Sequence, residues 1–105
     1  MKELEEINED FSIEIPFDMR VHLILKRGLD IKYDDKTRHI LIYKPEKLYF
    51  GMPQKEITGI YEGYSARREP SDPILEFVTD EGYRFSLPCS YIYDYKVLDD
   101  KDEEI

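Results

Sequence analysis

Apolar and polar side chains alternate with a period of two along most of this chain, the mark of half-buried strands. Residues 21–25, 29–33 and 38–43 are rich in β-branched and aromatic side chains and are divided by turn-forming residues. The divider Lys26-Arg27-Gly28 suits a three-residue hairpin loop with glycine in the left-handed position. Such a loop pairs Leu25 with Leu29, Leu23 with Ile31 and Val21 with Tyr33 on one face. A slip of one residue would set Leu25 against Asp30 and spoil that face. A four-residue loop, Asp34-Asp35-Lys36-Thr37, then places Ile31 opposite Ile40 and Leu29 opposite Ile42. The expectation is a three-stranded meander with one apolar side.

The same logic recurs later. Asp80-Glu81-Gly82 reads as a three-residue loop that pairs Phe77 with Phe85 and Leu75 with Leu87 on one face, Val78 with Arg84 and Glu76 with Ser86 on the other. After Pro88 a last strand is expected over residues 91–98. Between the hairpins, Leu48-Tyr49-Phe50 reads as a short strand ended by Gly51-Met52-Pro53. The stretch 57–64 reads as a longer strand with Gly59 and Gly63 on the side of Ile57 and Tyr61. Glycines there signal a sharp bend or a close backbone approach, as where small barrels turn corners.

At the start, Leu4, Ile7 and Phe11 fall at helical spacing on an acidic background, a short helix that forms only if it docks. The fold expected is all-β: a small barrel or strongly twisted sandwich of about 7–8 short antiparallel strands with a short N-terminal helix. Residues 1–10 form an acidic segment, 11–98 a single β domain, and 99–105 an acidic disordered tail.

Parts of this pattern resemble known small β folds. The stretch from Ile57-Thr58-Gly59 to Gly63-Tyr64 is similar to the opening of the Sm-like RNA-binding barrels, where a glycine-containing strand precedes a bent one. It lacks the Asn and the Arg-Gly pair with which that family grips uridine, so no binding residue carries over. The order of strands and the Asp-Glu-Gly hairpin is also similar to pleckstrin-homology-like modules. Those end in a helix, whereas residues 91–98 alternate like a strand. Neither family is assigned.

Charge changes the picture more than composition does. The 105 residues carry 24 acids and 15 Lys and Arg, a formal −9. Residues 1–10 hold five acids and one base, and residues 99–105 again five acids and one base, so each end is −4 and the body is −1. A mimic of the nucleic-acid backbone would spread its acids over the folded surface, and here they sit at the extremities. The scarcity of Gln and Asn beside abundant Glu, Lys, Ile and Tyr is a thermophile-like composition, which bears on habitat and not on function. The longest apolar run is four residues, against the ~20 of a membrane span. The opening Met-Lys-Glu-Leu-Glu-Glu has no secretory apolar stretch, so the expectation is a soluble, cytoplasmic domain away from membranes.

Candidate chemistry is sparse. In the expected meander His22 faces Lys32 and Lys32 faces His39, which holds the histidines about 9–10 Å apart with a cation between them, unlike converging zinc ligands. Cys89, the single cysteine, follows Pro88 with no histidine placed beside it by any sequence signal, and reads as a small buried side chain. The serines lack nucleophile-elbow glycines, and the five glycines are scattered singly, so no phosphate-cradling loop is present. No catalytic residue, cofactor or metal is expected, and the chain reads as a non-enzyme.

Two features suit binding. Tyr91, Tyr93 and Tyr95 share one side of the last strand, either as an exposed row for protein contact or base stacking, or as rings capping the core. The long polar loop over residues 65–73 carries Arg67 and Arg68, a pair able to grip phosphate or carboxylate. Lys44, Lys47 and Lys55 would join them only if the fold gathers them. The reading is a small binding or adaptor domain acting through contact with another protein, or with itself as a strand-paired homodimer. A nucleic-acid-binding barrel using the Arg67/Arg68 loop is the alternative, disfavoured by net charge. A small acidic inhibitor, such as a viral one, is a third.

Overall fold

The computed structural model describes residues 15–65, 72–99, 101 and 103–105. Seven strands make one sheet: β1 (Arg20–Leu25), β2 (Asp30–Asp34), β3 (His39–Tyr43), β4 (Glu56–Ser65), β5 (Ile74–Val78), β6 (Arg84–Pro88) and β7 (Ile92–Leu98). Their spatial order is β2-β3-β6-β5-β4-β1-β7. All neighbours are antiparallel except β3 and β6, which run parallel and share the one pair His39↔Arg84. The expected N-terminal helix falls outside the described residues, as do residues 66–71 of the long loop.

Two short connections curl this sheet into a half-barrel. β1 and β2 are joined by residues 26–29 although five strand spacings separate them in the sheet. Laid flat, that gap would be about 24 Å, beyond the ~17 Å such a link can reach. β6 and β7 lie four spacings apart, and only the single 3-10 turn Cys89–Tyr91 joins them. Only a sheet rolled onto itself satisfies both. The concave side holds the core: Val21, Leu23 and Leu25 of β1 are at 0% exposure, with Ile57 and Tyr61 of β4, Leu75 and Phe77 of β5, and Phe85 and Leu87 of β6 around them.

The β5–β6 hairpin has the expected register at every pair, from Leu75↔Leu87 to Val78↔Arg84. Thr79 and Tyr83 close its loop, and Gly82 at φ 90° takes the left-handed position. β4 also runs where expected, and its two glycines do different work. Gly59 lets the Phe85 ring lie against the backbone. Gly63, at φ 117°, follows the register shift that bends β4 after Tyr61.

Three expectations are corrected. The first hairpin does not form, because β1 lies between β4 and β7, with Leu23 opposite Ile57 on one side and Tyr95 on the other. Gly28 does turn the chain at φ 93°, but as a corner. Turn chemistry specifies where the chain bends and leaves the partner open, and two flanking ladders bury β1 more completely than the short β2 would. The β2–β3 register is shifted by two, with Ile31↔Ile42 and Tyr33↔Ile40. Asp34 ends β2 by accepting from the N–H groups of Lys36 and Thr37, and Arg38 at φ 59° closes the loop, so the loop is residues 35–38. The shift is even, so Leu29, Ile31, Ile40 and Ile42 still face the core, while Tyr33 is exposed. Leu48-Tyr49-Phe50 belongs to no strand; Met52 donates to the Tyr49 carbonyl at 3.2 Å, and Phe50 and Gly51 form the tip of a turn.

The acidic C-terminus, expected as a solvated tail, turns back on β7. Leu98 pairs with Glu104, and Ile105 donates to the Val97 carbonyl at 2.9 Å. No helix among the described residues is long and apolar enough to cross a membrane.

Candidate protein-contact surface

The half-barrel brings several connections to one end. The corner after β1 lies there, and Leu48 of the β3–β4 loop packs 3.7 Å from where a β-carbon of Gly28 would stand. Lys26 donates its backbone N–H to the Tyr91 carbonyl, and the Lys44 ammonium sits 5.6 Å from the centre of the Tyr91 ring. Leu25 donates to the Lys55 carbonyl, and the Gln54 side-chain amide donates to the Leu25 carbonyl. The Gln54 and Lys55 bonds fasten the C-terminal end of the loop over residues 44–55 to the corner, and the Lys44 contact with Tyr91 holds its other end.

The middle of that loop points outward. Leu48 and Tyr49 are 64% and 58% exposed, and Phe50 is fully exposed. Gly51 at φ 83° permits the tight turn that presents them. Three consecutive apolar side chains on a bonded loop are unusual on a solvated surface and suit burial against a partner. The corner and the loop also carry the cations Lys26, Arg27, Lys44 and Lys47. Asp30 pairs with Lys55 at 3.4 Å, Asp72 accepts from the Ser90 N–H and hydroxyl, and Asp94 accepts from the Tyr95 N–H.

The tyrosines of the last strand are split by a β-bulge. Leu25 pairs with Ile92 and Ile24 with Asp94, so Tyr93 is the extra residue. Ile92 and Tyr95 therefore both face inward, Tyr91 packs on the core from the 3-10 turn, and Tyr93 alone is exposed, at 69%. Neither sequence alternative anticipated this, because strict alternation cannot put Ile92 and Tyr95 on one side. The bulge lies opposite the end of β1 and turns Tyr93 to solvent. Arg67 and Arg68 lie outside the described residues. Lys55 is tied to the corner after β1 through its carbonyl, and Lys44 reaches Tyr91, whose carbonyl accepts from Lys26.

Elsewhere the side chains show structural roles. His22 lies on β1 between β4 and β7, with Nδ1 2.8 Å from the Thr58 hydroxyl and Nε2 2.6 Å from Glu56. It does not face Lys32, and His39 sits instead at the β3–β6 junction. Among the described residues no group of three or more His, Cys, Asp or Glu is arranged to hold a metal. Cys89 is buried, and burial pushes its thiol up to about 11, with Asp72 adding to the rise. A thiol held in that form is a poor nucleophile.

No family model matches the chain, and no curated protein or solved structure shows significant similarity to it.

Proposed function

We propose that this protein is a non-enzymatic binding module that works by protein–protein contact, with the loop over residues 44–55 as its contact element. One observation carries the reading: Leu48, Tyr49 and Phe50 stand side by side in solvent on a loop hydrogen-bonded at its C-terminal end and held at the other by the Lys44–Tyr91 contact. A loop already held in place loses little further freedom on binding, which favours affinity. The matching partner presents an apolar pocket for Phe50 and an acidic rim for Lys44 and Lys47.

A different protein suits this surface better than a second copy paired through β2. The symmetric antiparallel pairing that overlaps all five β2 residues sets Lys32 against its copy and Asp30 against Asp34, like charge against like. Nucleic-acid binding stays the alternative, through lysines and stacking aromatics at this same end. The two separate on heparin. Protein contact expects elution at low salt, whereas nucleic-acid binding expects retention that falls steeply with salt.

The direct test places a photo-crosslinking phenylalanine analogue at position 50 of the full chain in its native cell, with Lys32 as the control position. A discrete protein adduct from position 50, absent from position 32 and abolished by Tyr49→Ser, is the expected result. Equal labelling from both positions would refute the assignment of this loop.

A further inference from the structure

Each strand at the margin of the sheet has one strand neighbour, β3 for β2 and β1 for β7. Which residues aim outward follows from the ladder. The N–H and C=O of one strand residue point to the same side, and that side alternates along the strand. The Arg84 N–H donates to the Arg38 carbonyl, so the backbone groups of Ile40 and Ile42 are directed towards β6 and those of His39, Leu41 and Tyr43 towards β2. Their partners Asp34, Lys32 and Asp30 face β3, and Ile31 and Tyr33 aim outward. On β7, Ile105 donates to the Val97 carbonyl from the outer side, so Val97 and Tyr95 aim outward.

Both margins carry the same device. The Ile31 N–H donates to the Asp30 carboxylate at 2.8 Å, and the Tyr95 N–H donates to the Asp94 carboxylate at 2.8 Å. In each case the acid just before an outward-facing residue folds over the N–H of that residue. Lys55 lies 3.4 Å from the same Asp30 oxygen, and the Ile31 N–H holds the Asp30 carboxyl below its ordinary range.

The two margins also fit each other. Antiparallel pairing of β2 in one copy with β7 in a second, with Ile31 opposite Tyr95, places Asp30 opposite Lys96 and Lys32 opposite Asp94. Ile31 and Tyr95 both pack on the core, so the faces match. That central pair would exchange two ladder bonds, and its two N–H donors are the ones the aspartates occupy. Val97, where Leu29 of the incoming copy would fall, is already taken by Ile105. Pairing of unlike edges leaves one free edge of each kind on every product, so it propagates instead of closing. We propose that Asp30 and Asp94 are edge guards, which keep β2 of one molecule from adding to β7 of a second copy of this chain. This inference is independent of the Phe50 contact.

The test mixes two full-length single variants. Asp30→Ala uncovers β2 and keeps the guard on β7, and Asp94→Ala does the reverse. Each alone should sediment as a monomer, whereas their mixture should form one-to-one dimers at concentrations at least about tenfold below those at which either associates alone. In the mixed dimer the Ile31 amide of the Asp30→Ala copy and the Tyr95 amide of the Asp94→Ala copy should gain at least about tenfold protection from hydrogen exchange. Combining both substitutions in one chain should give assemblies longer than a dimer. Asp30→Asn and Asp94→Asn keep an acceptor oxygen, and their mixture should stay monomeric. A further arm leaves the protein unchanged: the Ile31 and Tyr95 amide protons should move upfield as pH falls through the carboxylate range and the accepting charge is lost. A monomeric mixture of the alanine variants overturns the proposal. So does association of either one alone as readily as the mixture, or amide shifts that ignore the carboxylate titration.

Discussion

Phe85 occupies the space that a side chain on residue 59 would need. A β-carbon there would stand 2.9 Å from Cε1 and 3.0 Å from Cζ of the ring, and 3.1 Å from the Phe77 β-carbon. The Phe77 and Phe85 rings stack at 5.1 Å with 12° between their planes, so neither can swing aside without losing the other. Gly59→Ala is therefore expected to destabilise the protein by about 1–3 kcal/mol through overpacking. Urea unfolding at neutral pH measures this. Adding Phe85→Leu should make the alanine less costly, and a double-mutant cycle with no coupling would disprove the steric account.

That relationship shows how far a sequence can be read. The glycines in a β-branched run signalled a close approach or a bend, and Gly59 and Gly63 supply one each. The β5–β6 hairpin was fully legible because its loop chemistry and its apolar pairs agree on a single register. The first hairpin was not, because Lys26-Arg27-Gly28 encodes a turn and nothing local says that β4 and β7 will flank β1. The split of Tyr91, Tyr93 and Tyr95 depends on a bulge opposite Leu25, a long-range register effect with no local signal. The proposed contact surface was half visible. The lysines of the loop over residues 44–55 were noted, but Leu48-Tyr49-Phe50 has the composition of a buried strand, and only Gly51 followed by Pro53 hinted at an exposed turn.

The left-handed Arg38 is held by its neighbours. Its guanidinium lies 4.6 Å over the Tyr83 ring and donates to the Glu81 carbonyl, while the Tyr83 hydroxyl donates to Asp35. Tyr33 meets the same ring edge-on at 5.6 Å. The hydrogen bond to Asp35 raises the Tyr83 phenol above its ordinary value. A raised phenol favours the folded state while it is protonated. Its contribution is complete below about pH 10 and disappears as pH climbs through the folded-state value. Tyr83→Phe should therefore lower the urea midpoint at pH 8 and lower it less at pH 11. An equal loss at both pH values would exclude the Asp35 bond as the cause.

Cys89 offers a separate chemical probe. With its thiol pushed up to about 11, chiefly by burial, about one molecule in a thousand carries the thiolate at pH 8. Iodoacetamide at pH 8 should alkylate the native protein at least ~100-fold more slowly than free cysteine, since burial adds to the low thiolate fraction. The rate should recover in 6 M guanidinium. Rapid labelling of the folded protein would place Cys89 on an accessible surface and contradict the packing of the 3-10 turn against Pro73 and Asp72.

Asp99 organises the returning C-terminus. Its carboxylate accepts from the Lys101 and Glu103 N–H groups at 2.8 and 2.9 Å, while its own N–H donates to the Glu103 carbonyl at 2.8 Å. This turn delivers Ile105 to Val97 and covers part of the outer edge of β7, an edge open to pairing with other chains. Asp99→Ala should speed hydrogen exchange at the Glu103 and Ile105 amides by at least about tenfold, with a change in global stability below about 0.5 kcal/mol. Asp99→Asn retains an acceptor oxygen and should restore much of the protection. If covering that edge matters in solution, Asp99→Ala will also self-associate at concentrations where the parent is monomeric, and sedimentation velocity would detect it. Unchanged exchange in Asp99→Ala would mean that the backbone pairs hold the segment without the side chain.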